Sequence, residues 1–238
     1  MRSTVNFACL WEAVKAFLLV CACGLAFSAH AAEPQAGPGE VVTTATDRIL
    51  TIVQNAKGYF DNDPDRYFTA IGQELDAVVD FRGFARGVMG DYASGARYRT
   101  LDEAGRKQLK EQLNAFTAVL RNNVIRTYSR GLLAFGGSRI EVGETEFSPD
   151  NDKVASVISY VSGEGDKPYV LKYQMGQYRD GSWKLRNLII ENINLGEIYR
   201  GQFAASAEEF AGDLDQVIAN WDQTQVDADT EGSGDANT

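Results

Sequence analysis

The segment RIEVGETEFSPDNDKVASVISYVSGEGDKPYVLKYQMGQYRDGSWKLRNLIIENIN, residues 139–194, decides the fold. It divides into four strand-like runs, Arg139 to Phe147, Lys153 to Ser162, Pro168 to Tyr178 and Ser182 to Asn194. Between them lie Ser148-Pro149-Asp150-Asn151-Asp152, Gly163-Glu164-Gly165-Asp166 and Arg179-Asp180-Gly181. Turns that short join antiparallel neighbours, so the segment predicts a four-stranded meander. In the third run Tyr169, Leu171, Tyr173 and Met175 alternate with Val170, Lys172, Gln174 and Gly176. The fourth run becomes apolar on both faces after Asn187, which predicts cover on both sides or an interior space there.

Upstream of this segment the hydrophobic period is helical. Val42, Ala45, Ile49, Val53, Ala56 and Phe60 recur every three or four residues. Asp63-Pro64 offers an N-cap with proline at the first helical position, opening a helix with Phe68, Ile71, Leu75 and Val79 on one face. A third helix, Phe81 to Met89, should stop at Gly90. The longest stripe runs through Leu109, Leu113, Phe116, Leu120, Val124, Tyr128 and Leu132, introduced by the capping-box pattern Thr100-x-x-Glu103 and closed by Gly136-Gly137. Downstream, a segment around Ile198 to Phe203 precedes a helix predicted to open at a second such box, Ser206-x-x-Glu209, and to bury Phe210, Leu214, Val217 or Ile218, and Trp221. Helices before and after one meander give an α+β architecture. So many amphipathic helices need a curved sheet to wrap, a cone of the nuclear-transport-factor-2 type with a helical elaboration.

The termini read differently. Arg2, the apolar stretch Phe17 to Leu25 and the small-x-small site Ala29-His30-Ala31 make residues 1–31 a secretory signal. Its apolar run of about twelve residues is short of the roughly 20 that span a bilayer. Residues 32–40 read as a flexible leader, 41–221 as the folded domain, and 222–238 as a disordered acidic tail. All the cysteine and histidine (Cys9, Cys21, Cys23 and His30) would leave with the signal. The remainder cannot build a disulfide scaffold, a thiolate nucleophile, a histidine base or a zinc site of N and S ligands. The net charge of −10 over 238 residues argues against nucleic acid and against adhesion to anionic lipid.

Few polar residues invite chemistry. Asp61, Asp63 and Asp65 suggest a calcium loop, but Pro64 breaks the pattern and the required glycine and glutamate do not follow. Glu144 and Glu146 fit a solvent-facing strand end. Glu191, set among apolar residues, is the more interesting acid; a structural pairing with a base such as Arg200 fits it better than acid/base work. Arg126 and Arg130, one turn apart beside the long stripe, could hold a phosphate at a pocket mouth. Apolar stripes by themselves fit a filled core as well as a hollow one.

The run Val79-Asp80-Phe81, the stretch Ala85 to Gly90 with Tyr92, the helix end Tyr128-Ser129-Arg130-Gly131-Leu132-Leu133, the strand Trp183 to Leu195 and the sequence Tyr199-Arg200-Gly201-Gln202-Phe203 together resemble the MlaC, or toluene-tolerance, family of periplasmic phospholipid-binding transport proteins. The resemblance spans about Val41 to Trp221. Asn192 and Asn194 stand where the family usually has Gly and Ser, and the loop between Tyr92 and Thr100 is a few residues longer. The resemblance implies a hollow domain that shelters the acyl chains of a phospholipid. It implies a carrier and no enzyme, with no cofactor beyond that cargo. Its partners would be an inner-membrane MCE-protein and ABC-transporter complex and an outer-membrane lipoprotein–porin complex, visited by a monomer. Placed on the stripes, the expected pocket lining is Val88, Tyr92, Phe116, Leu120, Val124, Tyr128, Tyr173, Met175, Leu188, Ile190 and Tyr199, with Arg126 and Arg130 as headgroup contacts. Two alternatives remain at this stage: a carrier of hopanoid or another polycyclic lipid, and a small enzyme on the same cone-like fold using a carboxylate such as Glu191.

Overall fold

A computed structural model of the chain describes residues 35–134, 139–162 and 167–221. The expected signal, the first part of the leader, the Gly136-Gly137 stop, the Gly163–Asp166 turn and the acidic tail lie outside the described residues. Helix α1, Pro38–Ala56, opens inside the stretch expected to be leader, because Pro38 occupies its first turn, where proline's missing N–H and fixed φ cost nothing. Helix α2 is Pro64–Val78, and the Asp63 side chain accepts from the Arg66 N–H at 3.3 Å, the cap the sequence predicts. Helix α3, Phe81–Met89, is capped by Asp80 and ends at Gly90, whose φ of 55° suits a residue without a Cβ.

A 3-10 turn, Gly90–Ala93, and the short helix α4, Gly95–Thr100, lead to the long helix α5, Glu103–Ala134. The expected capping box does not form. Thr100 belongs to the last turn of α4, with its hydroxyl donating to the Arg97 carbonyl, and Asp102 caps α5 by accepting from the Gly105 N–H at 2.8 Å. Aspartate caps as well as threonine does, and here it stands where the chain turns.

The sheet runs in chain order, all antiparallel: β1 Arg139–Ser148, β2 Asn151–Ser162, β3 Tyr169–Gln177, β4 Trp183–Ile190 and β5 Ile193–Asn194. The fourth predicted run is thus a strand, a sharp turn at Glu191-Asn192 and a two-residue return, which makes five strands from the expected four. Glu191 takes a φ of 54°, and its side chain accepts from the Val170 N–H at 2.5 Å, so this acid holds the turn. Its expected partner Arg200 instead donates to the Gly87 carbonyl at 2.9 Å. Helix α6, Leu195–Glu209, is capped by Asn194. The second predicted box also fails: Ser206 is buried within α6, and the chain turns at Ala211 and Gly212 before Asp213 caps α7, residues 214–221.

Three apolar clusters hold this arrangement together. The largest packs α3, the first half of α5, α6 and α7, centred on the rings of Phe116, Phe203 and Trp221 at 4.9 to 5.8 Å. A second, at one end of the sheet, joins Val42 of α1 to Ala155, Val157, Met175 and Trp183. The third joins α1 and α2 through Val53, Ala56, Tyr67 and Ile71. Tyr67 also ties α2 to α5, donating from its hydroxyl to the Ser129 carbonyl at 2.8 Å.

Candidate functional site

Two irregularities in the sheet create the site. Opposite residues of an antiparallel pair share a face, so the register reports which side chains point inward. On β3, Leu171, Tyr173 and Met175 face Ser159, Val157 and Ala155 of β2. On β4 they face Ile190, Leu188 and Leu185, with the register slipping by one residue at Arg186. That bulge reverses the phase of β4: Trp183 and Leu185 point inward before it, Leu188 and Ile190 after it. This is why the strand reads as apolar on both faces. A second slip on β1, between Val142 and Thr145, bends the other edge. Bulges bend a sheet, and here the bent sheet is covered on its inner side by helices.

The three clusters leave a space between them of about 580 Å³. For comparison, an apolar cavity of about 150 Å³ already stays dry and accepts benzene. The walls are Ile49 and Leu50 of α1, Ile71 and Leu75 of α2, Phe81 and Phe84 of α3, Val124, Thr127, Tyr128, Ser129, Gly131 and Leu132 of α5, Leu171 and Tyr173 of β3, Leu188 and Ile190 of β4, and Leu195 and Tyr199 of α6. Ile140, Val161 and Tyr169 stand at one end of the space, and Tyr169 is 54% exposed. Burial pushes the Tyr173 phenol up to about 12, against a weaker opposite effect of Ser159. Such a wall can enclose an apolar body. Among the described residues, no group of acids, histidines or cysteines could hold a metal ion.

Of the eleven side chains expected in the lining, the structure brings six together on the cavity wall: Val124, Tyr128, Tyr173, Leu188, Ile190 and Tyr199. The other five lie elsewhere. Val88, Phe116 and Leu120 are packed in the helical cluster, where α6 and α7 cover the first half of α5, and Tyr92 packs against that cluster. Met175 shares the inward face of Tyr173 but lies past the bulge, against Val42 and Trp183, where the space is closed. Arg126 and Arg130 are exposed and do not border the cavity; Arg126 lies 3.9 Å from Asp65 and 5.5 Å over the ring of Phe68. Sequence reasoning missed the contribution of α1 and α2. The α2 face Phe68-Ile71-Leu75-Val79 was visible as a stripe, but a stripe does not announce what it faces.

A smaller cleft of about 200 Å³ lies between α3, β4 and α6. Phe84, Arg186 and Asn187 border both this cleft and the cavity. The Asn187 side chain organises the boundary: its amide donates to the Gln174 and Asn194 side chains at 2.8 Å each, and its carbonyl accepts from the Gly196 N–H at 3.0 Å.

The chain resembles known proteins over most of its length. It is 28% identical over 184 residues to the toluene tolerance protein ttg2D of Pseudomonas putida, a match covering 77% of this chain and 79% of that one. Its fold matches that of a phospholipid-binding protein from Ralstonia solanacearum, solved in complex with a phospholipid, at a TM-score of 0.62 and 20% identity, over 81% of this chain and 98% of that one. The model of the MlaC protein family matches residues 43–223. The chain therefore belongs to the MlaC family.

Proposed function

We propose that this protein is a periplasmic, non-enzymatic carrier that takes the acyl chains of a phospholipid into the cavity and shuttles the lipid across the aqueous space. The observation that carries the reading is the apolar interior of about 580 Å³, left open by three well-packed clusters. Membership in the MlaC family and the phospholipid held by the Ralstonia relative of the same fold support it. The energetics fit the task. At about 0.8 kcal/mol per buried methylene, two tails of about thirty methylenes would cost on the order of 24 kcal/mol to expose to water. A dry protein interior makes the transfer nearly an even exchange, and no catalytic group is needed for it.

Export through residues 1–31, with cleavage after Ala31, completes this reading, as do docking partners at both membranes: an MCE-protein and ABC-transporter complex on the inner side and a lipoprotein–porin complex on the outer. The net charge of −10 favours such protein docking over direct contact with anionic lipid. Native mass spectrometry of the monomer purified from its periplasm tests the cargo. A bound phospholipid, on a chain whose mass begins at Ala32, is expected; a consistently lipid-free protein overturns the reading.

A further inference from the structure

Charge is spread unevenly along the chain. Residues 82–110 carry seven bases and three acids, in a protein with 23 bases and 33 acids. The structure gathers five of these bases into a band where α3, α4 and the start of α5 meet. Arg106 donates to the Tyr98 and Arg99 carbonyls at 3.1 and 3.3 Å, and its guanidinium lies 5.3 Å from the centre of the Tyr98 ring. The Lys110 ammonium approaches the same ring at 5.7 Å. One turn further along α5, the Asn114 side chain accepts from the Arg82 guanidinium of α3. Arg97 lies 5.8 Å over the Tyr92 ring, and Arg99 follows Tyr98 directly. All but the half-buried Arg106 are exposed, and none of the five is in an ion pair among the described residues. Of the three acids in this stretch, Asp102 is engaged in capping α5.

Rings and carbonyls hold these cations in place without cancelling their charge, so the band presents fixed donors to an anionic partner. A bilayer leaflet is wider than the band and would bring the acidic remainder of the surface within a Debye length, about 8 Å, of its own charge. An acidic patch on a protein can meet the band alone, and arginine forks at fixed spacing suit discrete carboxylates. The band also stands clear of the cargo. Lys110 precedes Val124, the first α5 residue on the cavity wall, by about 21 Å of helix. We propose that this band is the docking surface for an acidic protein partner, which holds the carrier at a membrane complex and leaves its cavity free to exchange lipid. The inference rests on the carrier reading and deepens it by naming the face that docks.

The test measures binding of the lipid-loaded protein to the MCE-protein and ABC-transporter complex and to the lipoprotein–porin complex, each in nanodiscs of zwitterionic lipid. Wild type should bind one of them, more weakly as salt rises. Arg99→Glu/Lys110→Glu should weaken that binding on the order of tenfold at low salt, mainly through the association rate, and by less at high salt. The same charge change at Arg126→Glu/Arg130→Glu, more than a Debye length away along α5, should leave it within about twofold. Equal weakening by the two variants would make net charge responsible and overturns the proposal, as does a band variant that binds like wild type or a wild type that binds neither complex. Arg99→Gln/Lys110→Gln removes the charges without reversing them; it should weaken binding by a smaller factor and carries the test if the first variant does not fold. Band-dependent binding to phosphatidylglycerol vesicles in place of the complexes would make the partner a membrane and overturns the assignment to protein. Native mass spectrometry keeps the two readings apart. The band variants should retain as much lipid as wild type, and loss of lipid from them would put the band in the lipid site and overturn its docking role. A lipid-free wild type that still docks through the band would overturn the carrier reading alone.

Discussion

The two halves of α5 carry the same hydrophobic period and meet different surroundings. From Leu109 to Leu120 the stripe is fully covered, with Phe116 and Leu120 at 0% exposure among the side chains of α3, α6 and α7. From Val124 to Leu132 the same stripe is half-buried and faces the cavity. Leu195 and Tyr199 of α6 border the space, but farther along the same helix Phe203 and Ala207 close over the first half of α5. Periodicity states which face of a helix avoids water. It does not state whether protein or cargo does the covering.

Substituting along the stripe breaks this comparison most directly. Leu120→Arg buries a charge with no partner among apolar side chains and should unfold the domain or remove most of its stability. Val124→Arg, one turn further on, can reach the open space; it should leave a folded protein, by circular dichroism, that no longer retains lipid. Equal thermal stability of the two variants would show that the halves do not differ. Truncation gives the next largest contrast. Phe116→Ala should cost about 3–5 kcal/mol in denaturant unfolding, because its neighbours on all sides lose contacts and a void is left. Leu188→Ala in stripped protein should cost about 1 kcal/mol, since its side chain already borders empty space and has fewer contacts to lose. Similar losses at both positions would mean that the cavity collapses in solution.

The same contrast explains what could be read from the sequence. The meander, the order of elements and the helices up to Gly90 were legible, because period, turn chemistry and caps are local properties. The five-residue difference between the expected and observed lining was not. Phe116 and Val124 look alike in the stripe, and only the course of α6 and α7 separates them. Met175 and Tyr173 share a strand face, and only the bulge at Arg186 separates a closed region from an open one. Arg126 and Arg130 drew attention by their spacing, which belongs to an exposed ridge. The two failed capping boxes teach a smaller lesson. Thr100 and Ser206 had glutamate at the right interval, but Asp102 and Asp213 were nearer to where the chain bends. Asp102→Ala should therefore cost about 1 kcal/mol in denaturant unfolding, and Thr100→Ala only a few tenths. The reverse order would restore the predicted box.

The smallest effect, absent at neutral pH, tests whether the cavity wall is dry. Burial pushes the phenols of Tyr67 and Tyr173 from the ordinary 10.0 up to about 12. Tyr67 stands in the packed α1–α2 cluster and Tyr173 on the cavity wall. A raised phenol favours the folded state while both states hold the proton, so its contribution is whole below pH 10. Above that, the unfolded chain releases the proton and the folded one does not, and stability falls between about pH 10 and 12. Tyr178 is raised to about 12 as well, by burial and then by its bond to Asp80, so Tyr178→Phe is the background for the measurement. In that background Tyr173→Phe should lower by one the number of tyrosines whose phenolate absorbance is still missing at pH 11. Lipid should matter little to Tyr67. If Tyr173 instead titrates near pH 10 in stripped protein and moves up only on loading, water fills the empty cavity. Loading would then have to expel that water, and the even exchange of one dry environment for another would no longer describe the transfer.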